Sequence, residues 1–286
     1  MIRLVLMMTV LSALFVGVGY VIGLFFGDPE LWALGALVIA LLLNAFSYLF
    51  SDKIALSMSH AKIVSESEQP TLYRIVSSLA ASAGLPTPKV AIINSPAPNA
   101  FATGRGPNNS VVAVTTGLMG IVNENELEAV LSHEISHVKH KDVLIASVAA
   151  TIAAAISYLA LAGRFGAFFG NSKNNNAGIL ALVVSFLAPL AAMLVQTAIS
   201  RDREYGADRE GAMLSRKPLA LASALGKIER AAKSGVKMKV NPTTSPLWIV
   251  NPFRGDALLE LFSTHPLTSK RIDRLKEMAQ TTAGMS

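Results

Sequence analysis

His133, Glu134 and His137 fall within five residues of one another in LSHEISHVKH (131–140), and three of the chain's five histidines lie in that decapeptide. Residues four apart on a helix share a face, so the two imidazoles can point at one ion. Glu134 lies about 100° round from His133, near enough to serve a water beside the ion rather than the ion itself. This is the division of labour of the H-E-x-x-H pattern. Two imidazoles hold zinc, and a carboxylate takes the proton from the water that attacks a peptide carbonyl. The bland alternative is a solvated helix face with incidental histidines. The local pattern favours chemistry: Asn123 with Glu126 three residues on resembles a capping box, and Leu127, Val130, Leu131, Ile135 and Val138 supply an apolar stripe. His140 shares the face but lies beyond the pair that Glu134 serves, so it is read as a surface or supporting residue.

The chain has no cysteine, which excludes disulfides and thiolate ligands and leaves histidine and carboxylate to hold any metal. A catalytic zinc wants a third protein ligand and an open position. The metzincin extension would need Gly and His where this chain has His140 and Val143. The gluzincin solution is a glutamate on a downstream helix, with Glu204, Glu210, Glu229, Glu260 and Glu277 available. Only Glu204, in E-Y-G-A-D, has an aspartate four residues later. That spacing lets Glu204 bind metal while Asp208 accepts a hydrogen bond from a ligand imidazole and fixes its tautomer. A surface ion pair with a neighbouring arginine is the alternative for Glu204.

The elements that must position these groups include membrane spans. Only 15% of residues are charged, against about 25% in soluble domains. Residues 4–27, 31–51, 143–163 and 174–200 carry no charged side chain, and each supplies the roughly 20 residues a helix needs to cross a bilayer. The first is read as a retained anchor, since its apolar core is too long for a signal peptide and a second span follows at once. Two crossings between His137 and Glu204 return the chain to the side it left. Seven Lys/Arg in 52–142 and fifteen in 201–286, against none in 28–30 and two around 164–173, place both polar segments in the cytoplasm. The net charge of +6 then reads as topology and attraction to anionic lipid, and no nucleic-acid motif accompanies it.

The polar parts read as a helix from Pro70 to before Gly84, strands at 88–94, 99–104 and 109–117, and the histidine helix. After the fourth span come helices at 200–215 and 218–234, an irregular stretch at 235–256, and a last helix over 265–280. The fold class expected is α+β: a mainly helical membrane protein of four spans with a peptidase domain that holds a small sheet. It divides into an N-terminal hairpin (1–51), a first peptidase part (52–142), a second hairpin (143–200) and a second peptidase part (201–286).

HEISH (133–137), EYGAD (204–208), PNAFATG (98–104) and HPLTSKRI (265–272), in this order among four spans, resemble the HtpX heat-shock membrane protease family, whose wider relatives are the CAAX prenyl proteases. The resemblance covers essentially the whole chain. It implies a zinc endopeptidase, with one Zn2+ per chain, in the bacterial inner membrane. Its active site would face the cytoplasm and its substrates would be misfolded or damaged membrane proteins, in quality control and stress response. It implies His133, His137 and Glu204 as ligands, Glu134 as general base, His265 as the stabiliser of the oxyanion, and Asn99 in the segment lining the cleft. A place just before a helix start, where the dipole favours an anion, also speaks for His265. The strand near 99–104 could pair with an extended substrate, reading backbone rather than sequence. The irregular 235–256 segment leaves room for self-cleavage. Two competing readings are a non-proteolytic membrane protein with a structural metal, and a soluble-type peptidase whose third and fourth apolar segments are buried hairpins. Against the first, structural zinc usually takes four protein ligands, and the spans hold no Asp, Glu, Lys or Arg to mark an ion pathway.

Overall fold

Two apolar helices open the chain, α1 (Ile2–Phe26) and α2 (Pro29–Met58), joined through Gly27 and Asp28. The computed structural model describes residues 2–152, 201–234, 249 and 266–283. Asp28 caps α2 by accepting a hydrogen bond from the Leu31 N–H at 3.1 Å, with Pro29 in the first turn, where its missing N–H costs nothing. Both helices are long and apolar enough to cross a membrane by length and composition. Most of the large apolar side chains left exposed lie on them, among them Leu6, Leu24, Leu31 and Leu42. Such a surface is costly in water and ordinary in lipid. A Cβ added at Gly19 would lie 2.6 Å from both Ala36 Cβ and Trp32 O, and Gly23 stands as close to Pro29. Small residues four apart let the two backbones touch. Helix α2 does not stop at the expected boundary of 51/52. It continues through Asp52 and Lys53, and Ala55 packs against the sheet described next.

The sheet has four strands, β1 (Ala61–Val64), β2 (Lys89–Ile93), β3 (Ala100–Gly106) and β4 (Asn109–Thr115), in the order β1-β2-β4-β3. β2 and β4 run parallel and the other neighbours antiparallel, so the sheet is mixed. Three strands match the sequence expectation; β1, only four residues long (Ala61, Lys62, Ile63, Val64), gave too short an alternation to be read. β3 is an edge strand, with its register interrupted between Gly104 and Gly106 as in a bulge. Helix α3 (Pro70–Ser82) lies between β1 and β2 and buries Leu72, Ile75, Val76 and Leu79.

After the short α4 (Thr116–Ile121) comes α5 (Glu124–Lys139), the histidine helix. Its capping box is complete: Asn123 Oδ1 accepts from the Glu126 N–H and Glu126 Oε2 from the Asn123 N–H, each at 2.9 Å. The predicted stripe of Leu127, Val130, Leu131, Ile135 and Val138 is buried in the main core with Val76, Val112 and Leu225. Alternation along the strands splits the sheet's contacts. Ala100, Ala102, Val112 and Val114 join the α5 core, while Phe101, Val111 and Ala113 face Ala55 of α2 and Ala150 of α6 (Asp142–Ile152). Leu144, Val148 and Ile152 of α6 in turn meet Leu4, Met7 and Leu11 of α1. The sheet is therefore held between α5 and the apolar helices. Of the two later spans expected, 143–152 belongs to α6, and 153–163 and 174–200 lie outside the described residues. Helices α7 (Arg201–Ser215), α8 (Pro218–Lys233) and α9 (Thr268–Ala283) complete a mainly helical fold.

Candidate active site

The α5 helix turns His133 and His137 toward α7, and their Nε2 atoms stand 3.2 Å apart. Glu204, in the first turn of α7, brings Oε1 to 3.5 Å from His137 Nε2 and Oε2 to 3.9 Å from His133 Nε2. Glu204, Asp208, Gly211 and Ser215 recur at i, i+4, i+7 and i+11 and form the buried stripe of α7. The crossing of the two helices is tight. A Cβ at Gly211 would lie 2.8 Å from both Cα and N of His133, and Ser132 Oγ donates to Gly211 O at 2.8 Å. Gly211 is thus where α7 comes close enough for Glu204 to reach the imidazoles.

These donors fit a metal ion. Ligands about 2.05 Å from a tetrahedral zinc stand about 3.3 Å from one another, and the three groups offer donor atoms all within 4.8 Å. The electrostatics point the same way. Burial works against a positive His137, yet Asp142 and Glu204 outweigh it and raise its pKa to about 10. The pocket attracts positive charge.

Asp208 stands behind His133, Oδ1 being 3.0 Å from Nδ1. Burial pushes the Asp208 carboxyl up, but the Arg271 guanidinium overrides it and holds the pKa at about 2. Burial also keeps His133 below its ordinary value, against the pull of Asp208. Neutral imidazole is the form that ligates metal. Glu134 is 4% exposed, and its Oε2 accepts a hydrogen bond from the Ala102 N–H of β3 at 2.9 Å. Burial raises its carboxyl to about 8. The edge strand therefore lies directly against this carboxylate.

Asn99 is buried at the entry to β3, and its Oδ1 accepts from the N–H groups of Ala100 at 2.8 Å and Ile249 at 3.1 Å. His265 lies outside the described residues. His140 ends α5, half-exposed, with Nε2 3.2 Å from Glu210 Oε2, and takes no part in the cluster of His133, His137 and Glu204.

Three site residues escaped the sequence reading. Asp142 Oδ2 is 3.4 Å from His137 Nδ1, and Arg203 donates to Asp142 at 2.9 Å. Arg271 is 1% exposed and grips Asp208. Its signal was a cation on the apolar stripe that Leu275 and Met278 mark on the last helix, where a lone charge must have a partner. Asp142 and Arg203 offered no comparable mark.

A sequence model of peptidase family M48 matches residues 66–279. The chain belongs to peptidase family M48. A Protease HtpX homolog of Pyrococcus furiosus is 51% identical to this M48 chain over 97% of it and 96% of the relative. The same description applies to a protein of Paraburkholderia phytofirmans, 47% identical over 98% and 97% of the two chains. The resemblance to the HtpX proteases drawn from the motifs thus holds along nearly the whole chain, and this M48 protein is a metalloprotease, a hydrolase. A solved structure, the crystal structure of S. mikatae Ste24p, aligns with 92% of this chain and 61% of its own, at 21% identity and a TM-score of 0.48.

Proposed function

We propose that this M48 protein is a membrane-embedded zinc endopeptidase in which His133, His137 and Glu204 hold one Zn2+ and Glu134 is the general base. The observation that carries the reading is the convergence of three donors with a buried carboxylate and an edge strand at one place. Zinc, when bound, lowers the pKa of coordinated water to near neutrality and polarises a carbonyl. Glu134 takes the proton from the attacking water and returns it to the leaving amine. Burial raises its carboxyl and a neighbouring dication would lower it, so the group can both take and return a proton. The Ala102 N–H fixes the Oε2 that would do so. Asp208 holds the His133 ring in place from behind. His265, three residues before α9 begins, would donate to the oxyanion. Asn99 acts at the cleft through the start of β3, which it holds by the Ala100 N–H.

The edge of β3 would pair with an extended substrate, so cleavage follows unfolded backbone rather than a sequence code. Misfolded or damaged membrane proteins are the substrates this suits, in quality control under stress. Helices α1 and α2, joined by the two later spans, would embed the protein in the bacterial inner membrane. The charge distribution supports a cytoplasmic active site. The test is cleavage of an unfolded protein by detergent-purified enzyme with zinc, wild type beside Glu134→Gln. The reading predicts that only the wild type cuts, that a chelator stops it, and that the variant still binds zinc. Equal cutting by both would remove Glu134 from the reaction.

A further inference from the structure

We propose that Arg271 is a positioning residue of the metal site, and that through it the docking of α9 and the binding of zinc form one coupled equilibrium. This rests on the reading that His133, His137 and Glu204 hold the metal. Arg271 uses its whole fork. Nε donates to Asp208 Oδ2 and Nη2 to Asp208 Oδ1, both at 2.7 Å. Nη1 donates to Ile249 O at 2.9 Å and stands 3.5 Å from Glu204 Oε2. One guanidinium therefore fixes the carboxylate behind His133, stands 3.5 Å from both His133 Nε2 and Glu204 Oε2, and grips a peptide carbonyl. The peptide is held from its other end too, because the Ile249 N–H donates to Asn99 Oδ1. A continuous chain of contacts runs from the start of β3 through Asn99, Ile249, Arg271 and Asp208 to His133.

Among the described residues α9 brings no donor to the metal cluster. Its contribution is orientation. With Arg271 absent, Asp208 is a buried carboxylate without its bidentate partner, a state that breaking a buried pair makes costly. Asp208 would then move or take a proton and cease to hold the His133 ring. Lysine cannot replace the fork, since a single ammonium cannot reach both Asp208 oxygens and Ile249 O together. If zinc prefers the site that Arg271 has ordered, zinc must stabilise the docked α9 by the same factor.

The charge of Arg271 by itself repels a cation, and this separates positioning from simple electrostatics. Zinc affinity is measured by chelator competition on the full chain in detergent, for wild type, Arg271→Lys and Arg271→Met. Positioning predicts that both variants bind zinc about 10- to 100-fold more weakly. Wild-type affinity in Arg271→Lys, or tighter binding by Arg271→Met, overturns the proposal. Hydrogen exchange of residues 268–283 in the wild type, with and without zinc, tests the coupling without any variant and decides the matter if the variants do not fold. Zinc must slow exchange there, and unchanged exchange sinks the coupling. His137→Ala is the separate control on the ligand reading. If it keeps wild-type zinc affinity, the ligand set is wrong. If it loses zinc while Arg271→Lys does not, only the role of Arg271 falls.

Discussion

Where α1 meets α2, the missing side chain of Gly19 makes room for Ala36 and Trp32; where α5 meets α7, that of Gly211 makes room for the backbone of His133. The intrusions that a methyl group would cause are alike, 2.6 Å in the first crossing and 2.8 Å in the second. The surroundings differ. In an apolar hairpin that crosses a bilayer, as proposed for α1 and α2, close approach would yield dispersion and little else, because lipid tails compete as well as any side chain. At the second crossing the same approach fixes the distance from Glu204 to two imidazoles. One device thus closes an apolar hairpin in one place and sets the spacing of the His133, His137 and Glu204 cluster in the other, and the two should respond differently to the same added carbon.

The largest effect is expected at Glu204, the proposed ligand that the second crossing brings to the two imidazoles. Glu204→Ala should abolish both stoichiometric zinc and detectable proteolysis, as metal analysis beside an activity assay will report; retained zinc would detach α7 from the site. Next comes Gly211→Ala, which leaves every ligand in place and moves only the crossing. Zinc affinity should fall about 10- to 100-fold, the usual cost of disturbing what orients a ligand, and chelator competition measures it. Unchanged affinity would erase the contrast between the two crossings. Gly19→Ala should lower stability by about 1–3 kcal/mol through overpacking, visible as an earlier thermal midpoint in detergent, while the surviving enzyme keeps its kcat and its zinc. A loss of zinc there would show that the hairpin also shapes the metal site. The smallest effect is expected at Gly206, on α7 but with nothing among the described residues within 4 Å of an added Cβ. Gly206→Ala should leave activity unchanged and raise stability by up to about 1 kcal/mol through helix propensity, read from the same melting curves.

The groups legible in the sequence were those whose geometry one helix determines. His133 and His137 are four apart, Asn123 and Glu126 three apart, and Glu204 carries Asp208 one turn on. A single helical repeat fixes each relation, so the capping box and the stripe of α5 appear as read. What escaped depends on how separate elements dock. Arg271 is 138 residues from His133, and Gly211 looks like a helix weakness until α5 is laid against it. β1 is a strand because β2 is there to pair with it, through Val64 opposite Val90, and its own four residues carry little of that information. The apolar span ends at 51 while the helix runs on to Met58, for a related reason. Charge at Asp52 and Lys53 ends an apolar run but not a helix, and the turns beyond are kept by the contact of Ala55 with the sheet.

That unbroken helix has a mechanical consequence. Over 30 residues α2 extends about 45 Å, of which about 30 Å would be taken up by hydrocarbon. With its far end fastened to the sheet and no joint between, it would work as a mast in a membrane-embedded enzyme, and Glu134 would ride at a set altitude above the bilayer. A polypeptide drawn out of the membrane would be severed where it passes that level, whichever residues happen to be there. Height, rather than side-chain identity, would then choose the bond.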